Sequence, residues 1–101
     1  MSRTPIHPGE ILSDKLEDGG LTARRLAEIL QVPADLLDHV LAGERNLTAA
    51  TALRLARYFG TSPDFWMNLQ TSYELDLARR HLGSQIERIP RRQSVAVSTR
   101  P

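Results

Sequence analysis

The stretch from residue 21 to residue 57 constrains the fold of this chain more than any other part. Apolar residues recur there at helical spacing, first in 22–30 and again after Pro33. Thr22 is a good N-cap for the first helix, and Pro33 suits the first position of the second because its φ angle is already near the helical value. Gly43 is a natural end for the second helix. The pattern therefore predicts two short helices in close succession.

The turn between these two helices is short. It consists of Gln31 and Val32, and Val32 is placed to fill the gap between the helices. Ala27 is small enough to let the helices approach each other. Two helices, a short turn, a small residue and an apolar plug predict a helix-turn-helix, a motif whose second helix enters the DNA major groove. A plain helical hairpin within a bundle is the alternative.

Three further helices are predicted from start and stop signals. A first helix is expected over 8–18, with a proline at its first position and a glycine pair after it. A fourth is expected over 49–59, after the N-cap Thr48. Ser62 and the proline that follows it open a fifth helix, for which Gly83 is the predicted end.

The two ends of the chain carry weaker signals. Residues 1–7 have little to bury and are expected to lead in loosely. We divide the chain into a helical domain of residues 1–83 and a basic tail of residues 84–101, which is expected to be flexible. Within the tail, Val95-Ala96-Val97 either adds a strand to the sheet of a partner or belongs to a frayed end.

Composition excludes several classes of function. Residues 1–78 hold seven Lys/Arg and eleven Asp/Glu, a charge of −4, whereas 79–101 hold six Arg and one Glu, a charge of +5; the two sum to +1. A basic end of this kind suits nucleic acid or an acidic protein surface. There is no cysteine, hence no disulfide and no Cys-ligated zinc. No apolar run approaches the roughly 20 residues that span a bilayer, so we expect a cytoplasmic protein with no membrane partner.

Three other segments make a family resemblance specific. They are HPGEIL at 7–12, TALRLAR at 51–57 and GTSPDFWMNLQ at 60–70. Together with the helix-turn-helix they resemble the HigA antitoxins, the VapI-like branch of the XRE or lambda-repressor-like class, over roughly residues 5–80. The resemblance implies an all-α, five-helix lambda-repressor-like helix-turn-helix domain, followed by a loosely structured basic tail.

The resemblance also implies partners. Proteins of this family are dimeric antitoxins that repress their own transcription by binding double-stranded operator DNA. They also bind and neutralise a RelE-like, mRNA-cleaving toxin of the HigB type. Because the fifth helix commonly contributes to the dimer in this family, we predict a homodimer. Its predicted interface is apolar and consists of Phe65, Trp66, Leu69, Tyr73 and Leu77.

The predicted DNA contacts fall into two groups. Early residues of the second helix in the motif meet base edges: Ala34, Asp35, Leu36, Asp38 and His39. Residues around the motif contact the phosphate backbone and fix the register of the protein without reading sequence: Thr22, Arg24, Arg25, Arg45, Asn46 and Thr48. The alternative for the three arginines is that they are ordinary solvated charges.

The predicted recognition helix is unusually acidic. Asp35 and Asp38 would repel phosphate, and each can at best accept a hydrogen bond from a cytosine N4 amine. Leu36 can touch a thymine methyl but donates no hydrogen bond. These residues favour an alternative function, a protein-interaction module that keeps the scaffold but has weak or lost operator recognition.

Nothing in the sequence indicates an enzyme. His7, His39 and His81 lie far apart and lack a metal-binding spacing. There is no nucleophile elbow and no phosphate-binding glycine loop. We therefore predict no catalytic residue, no metal or cofactor, and no small-molecule substrate.

Overall fold

The computed structural model describes residues 4–92, and within that range the chain forms α-helices and no strand. The prediction of an all-α domain of five helices is confirmed. The helices are α1 (Pro8–Gly19), α2 (Ala23–Leu30), α3 (Ala34–Leu41), α4 (Ala49–Phe59) and α5 (Pro63–Glu87).

Three helices begin where their capping residues predict. The side chains of Thr22, Thr48 and Ser62 accept a hydrogen bond from the backbone amide three residues further on, at 3.1, 3.3 and 3.1 Å. Each bond satisfies one of the amides that a helix start leaves without an intrahelical partner. Local chemistry therefore fixes the starts of α2, α4 and α5.

All five helices contribute to one core. Trp66 of α5 is fully buried at its centre, and α4 packs along α5. Val32 is partly buried against the core, as predicted for the plug of the turn. The core residues are Leu12, Leu16, Leu26, Ala27, Leu30, Leu37, Val40, Leu47, Ala52, Leu55, Ala56 and Trp66. Because α2, the turn and α3 share this core, the helix-turn-helix packs as one unit with the rest of the domain.

The start of α1 is anchored, which corrects the expectation of a loose lead-in as far as His7 is concerned. His7 is 5% exposed, and its Nδ1 accepts a hydrogen bond from the amide of Gly9 at 2.9 Å. Its ring packs edge to face against Tyr73 of α5, with 4.8 Å between the centroids. Gly9 in turn lies against the backbone of Val40 and Leu41 in α3. The first turn of α1 thus joins α3 to α5.

The fifth helix is longer than predicted. It runs for 25 residues, about 37 Å, and ends at Glu87 instead of Gly83. One glycine inside a helix costs only about 1 kcal/mol, so it does not stop a helix whose neighbours favour continuation. Residues 84–87 therefore belong to α5, while the predicted strand at 95–97 lies outside the described residues.

The start of α3 is shifted by one residue from the prediction. Pro33 has an extended backbone, with ψ at 139°, so it is the N-cap and Ala34 is the first helical residue. The helix ends at Leu41, and Gly43 follows with φ at 77°, a left-handed conformation that glycine adopts at little cost.

Candidate nucleic-acid interface

The helix α3 divides its eight residues between core and surface. Leu37 and Val40 are 0% and 1% exposed. Leu36 is only partly exposed, because it packs on the edge of the core. The four exposed residues of the helix are Ala34, Asp35, Asp38 and His39. The predicted base-reading residues therefore lie on the open side of α3, except that Leu36 is half covered.

A long-range hydrogen bond holds the motif against α4. The guanidinium of Arg54 donates through Nη1 to the carbonyl of Leu30 at 2.7 Å. Leu30 is the last residue of α2, where helix carbonyls lack intrahelical partners. Arg54 thus fixes the end of α2 beside the turn. Sequence reasoning gave Arg54 no role, since nothing local identifies a partner 24 residues away.

The residues at the start of α2 that are predicted to contact phosphate have different partners in the structure. Arg25 forms an exposed ion pair with Glu28 at 3.0 Å, an interaction worth at most about 1 kcal/mol that a phosphate could replace. The guanidinium of Arg24 is exposed and has no hydrogen bond or ion pair to any residue within 4–92. Thr22 uses its oxygen to cap α2, and its hydroxyl hydrogen is still available as a donor.

The loop after α3 carries the remaining predicted phosphate contacts. Arg45 and Asn46 are exposed, and within residues 4–92 the guanidinium of Arg45 is unpaired. Leu47 is buried, and its amide donates to the side chain of Gln70 at 2.7 Å. Thr48 caps α4 and its hydroxyl lies 3.3 Å from that of Thr51. The loop therefore presents its polar residues outward from a fixed backbone.

The acidic residues of α3 are not neutralised by their neighbours. His39 donates from Nδ1 to the backbone carbonyl of Asp35 at 2.6 Å, so the Asp35 carboxylate is not engaged by it. The other ring nitrogen lies 3.9 Å from the Glu44 carboxylate, which is an ion pair only when the ring is protonated. Asp38 has no ion-pair partner within residues 4–92. The exposed side of α3 thus carries two uncompensated carboxylates.

The predicted dimer interface does not lie on one exposed face. Trp66 is 0% exposed, and its indole nitrogen donates to the Thr61 hydroxyl at 2.9 Å. It is a core residue with no surface left for a partner, which corrects its assignment. Phe65 is 39% exposed, whereas Leu69, Tyr73 and Leu77 are partly buried on the side of α5 that faces the body of the protein.

The opposite side of α5 carries a second apolar surface. Leu75, Leu82 and Ile86 are 47%, 41% and 54% exposed. At about 100° per residue they fall within roughly 40° of one another around the helix axis. We name these three residues the outer stripe of α5. The predicted interface did not include these residues, and the predicted end at Gly83 left Ile86 outside the helix.

Within residues 4–92, no three His, Asp or Glu side chains are grouped so that they could hold a metal ion. Over the same residues, no helix combines the length and apolar character that crossing a bilayer requires.

The geometry defines a class of protein. A short helix that is exposed on one side, packs on α1 and follows α2 across a tight turn is the DNA-binding unit of a helix-turn-helix protein. A helix-turn-helix family model matches residues 12–66. Virulence-associated protein I of Dichelobacter nodosus is 45% identical over 76 residues, 74% of this chain and 70% of that protein. A HigA-family antidote protein from Coxiella burnetii has a TM-score of 0.86 at 42% identity, covering 90% of this chain and 100% of that one. The chain belongs to the HigA family of antitoxins.

A further structure bears on the interface. Pseudomonas aeruginosa antitoxin HigA, solved with the higBA promoter, has a TM-score of 0.82 at 43% identity and covers 85% of this chain and 96% of that one. The family is thus one of DNA-binding antitoxins and not an enzyme class.

Proposed function

We propose that this HigA-type antitoxin binds double-stranded operator DNA in its own promoter as a homodimer and represses its own transcription. The observation that carries the proposal is the exposed side of α3, which lies in a fold that matches a HigA bound to promoter DNA. In this arrangement α3 enters the major groove. The start of α2 and the loop after α3 contact phosphates on either side.

The energetics of this complex rest on phosphate contacts. Arg24 and Arg45 are the strongest candidates, since both are exposed and unpaired within residues 4–92. The N-terminus of α2 adds backbone amides and the positive end of the helix dipole. The two carboxylates of α3 act against these contacts. Because the affinity comes from phosphate contacts, it should depend strongly on salt.

The experiment that tests the proposal is Arg45→Ala. We expect weaker binding to all sequences alike and a slope of log affinity against log salt that is flatter by about one unit. The measurement is fluorescence anisotropy at several salt concentrations. The probes are a labelled duplex of the DNA upstream of the chain's own coding sequence and a scrambled duplex of equal length.

Arg57→Ala is the matched control. It removes the same charge from the last turn of α4, about 13 Å along the helix from the N-cap, beyond a Debye length at ordinary salt. A wild-type chain that binds neither duplex, or equal effects of the two substitutions, would contradict the proposed interface.

A separate prediction concerns the two carboxylates of α3. Asp38→Asn should strengthen DNA binding several-fold, because it removes a charge that faces the phosphates and adds a hydrogen-bond donor; like charges at a wet surface are worth about 1 kcal/mol. Asp14→Asn on α1 is the control, with the same change of charge at an exposed position outside the interface. If Asp38→Asn instead abolishes selective binding while binding to the scrambled duplex persists, Asp38 reads a cytosine.

A second candidate function is favoured by the same two carboxylates. In this alternative the chain is a protein-interaction module that keeps the scaffold and the partner but has weak or lost operator recognition. Gel-shift assays at two salt concentrations discriminate between the functions, since real phosphate contacts lose affinity steeply as salt rises.

The proposed protein partner is a RelE-like, mRNA-cleaving toxin of the HigB type, and this proposal rests on membership of the family. The neighbouring reading frame should encode a short basic protein, and the two chains should co-purify when they are expressed together. We propose a cytoplasmic location, where both partners are found, and no catalytic activity or cofactor for the antitoxin itself.

The dimer is expected to form through α5. Of the predicted interface, Phe65, Leu69, Tyr73 and Leu77 remain candidates, and the outer stripe adds an exposed apolar surface on the opposite side. We expect Leu82→Lys to convert the dimer into an 11 kDa species in sedimentation equilibrium at micromolar concentration, because it places a charge within the stripe. Phe65→Lys is the matched comparison, because Phe65 is 39% exposed and Leu82 is 41% exposed. Dissociation by Phe65→Lys alone would place the interface on the predicted face, and a wild-type monomer would refute the dimer.

A further inference from the structure

Gln70 is a buried polar residue in the first half of α5, on the side that faces the core. It is 2% exposed, and its carboxamide forms two short hydrogen bonds. The oxygen accepts from the backbone amide of Leu47 at 2.7 Å, and the nitrogen donates to the carboxylate of Glu74 at 2.7 Å. The first bond joins residues 23 positions apart. It connects α5 to the loop between α3 and α4.

The two bonds fix the orientation of the carboxamide. A backbone N–H can only donate and a carboxylate can only accept, so only one of the two amide orientations satisfies both partners. Glu74 is exposed and charged, and hydrogen bonds to an ionised acceptor are stronger than neutral ones. Glu74 therefore holds the oxygen of Gln70 toward Leu47.

The amide of Leu47 lies between the residues proposed to contact phosphate. Arg45 and Asn46 precede it, and Thr48 follows it as the N-cap of α4. The side chain of Leu47 is buried, so its amide and its side chain together fix the backbone on which those three residues stand. Preorganised contacts lose less conformational entropy on binding than mobile ones.

We propose that Gln70, oriented by Glu74, is a positioning residue for DNA binding: it holds the loop at 43–47 in the conformation that meets the phosphate backbone. Neither residue touches DNA in this mechanism. The inference rests on the proposed DNA interface, and it adds that the surface of α5 and the DNA-facing loop are linked through one side chain. A partner group that captured the Glu74 carboxylate would release the carboxamide and loosen the loop.

The test compares three variants of the full chain with the wild type. Gln70→Met keeps the volume but removes both bonds, so the Leu47 amide should exchange with solvent about ten-fold faster or more, and DNA affinity should fall about five-fold to ten-fold. Glu74→Ala should give a smaller change in the same direction. Exchange is followed by NMR in the free protein, with the amide of Leu55 in the core as the internal reference for folding.

The double substitution Gln70→Glu with Glu74→Gln is the rescue variant. It conserves the net charge and both hydrogen bonds, since a carboxylate at position 70 accepts from Leu47 and from the new amide at position 74. Relative to Gln70→Met, it should slow the exchange of the Leu47 amide and restore part of the lost affinity, since burial of a carboxylate at position 70 carries a desolvation cost. The salt slope should be unchanged in all three variants, because no phosphate contact is removed.

The outcomes separate this inference from the proposed function. If the Leu47 amide exchanges with solvent at the wild-type rate in Gln70→Met, Gln70 does not hold the loop, whatever the effect on DNA binding. Faster exchange with unchanged affinity, or no recovery in the double variant, overturns the positioning role. A wild-type chain that binds no DNA refutes the proposed function and with it the positioning role. The exchange measurement still reports whether Gln70 holds the loop.

Discussion

Replacing Gly9 by alanine is expected to destabilise the fold by about 3 kcal/mol or more, the upper range for overpacking a close contact. A Cβ atom at this position would overlap the carbonyl oxygen of Val40 and lie 3.1 Å from the Cα of Leu41. Both atoms belong to the backbone of α3, which cannot move aside without moving the whole helix. Urea denaturation followed by the fluorescence of Trp66, the one tryptophan of the chain, measures the change in unfolding free energy.

Gly19→Ala is the matched control within the same helix. Nothing lies within 4 Å of a Cβ built there, and the backbone φ of Gly19 is not positive. Because alanine restricts the unfolded chain and favours the helix, we expect a gain of about 0.5–1 kcal/mol. Equal stability of the two variants would mean that α1 and α3 are not in close contact.

The second large effect is expected at Leu37. Leu37→Ala should destabilise the fold by about 2–5 kcal/mol, as the removal of a fully buried leucine side chain generally does. Leu36→Ala should have a clearly smaller effect, because Leu36 lies about 100° further round α3 and is only partly buried at the edge of the core. The same denaturation experiment compares the two variants.

The comparison of Leu37→Ala with Leu36→Ala tests which side of α3 faces the core. Equal destabilisation by both substitutions would place Leu36 as deep in the core as Leu37 and would turn the predicted base-reading residues away from solvent. A small effect of Leu37→Ala would have the same consequence.

The parts of the fold that the sequence predicted well depend on local interactions. Thr22 caps a helix with a bond that spans three residues, and the spacing that buries Leu37 is a property of one helix. Such signals lie within a few positions of the residues they affect. The helix-turn-helix and its core face were predictable for this reason.

The parts that were missed depend on contacts between distant segments. Gly9 is required by the backbone of α3, and Gln70 by an amide 23 residues earlier in the chain. Neither partner can be found from propensity or periodicity, although HPGEIL and TSPDFWMNLQ stood out as family segments. Trp66 shows the opposite case: an aromatic residue at helical spacing fits a core and an interface equally well until the packing is known.

The residues of α3 that stabilise the fold are different from those that face outward, and this affects how the sequence of such a protein can change. The residues that hold the helix in place, Leu37 and Val40, are buried, whereas Ala34, Asp35, Asp38 and His39 are exposed. Substitutions at these four positions therefore change stability little, usually by less than about 0.5 kcal/mol. The outward-facing residues of this helix can therefore change without loss of the fold, and Asp35 and Asp38 occupy two of these positions.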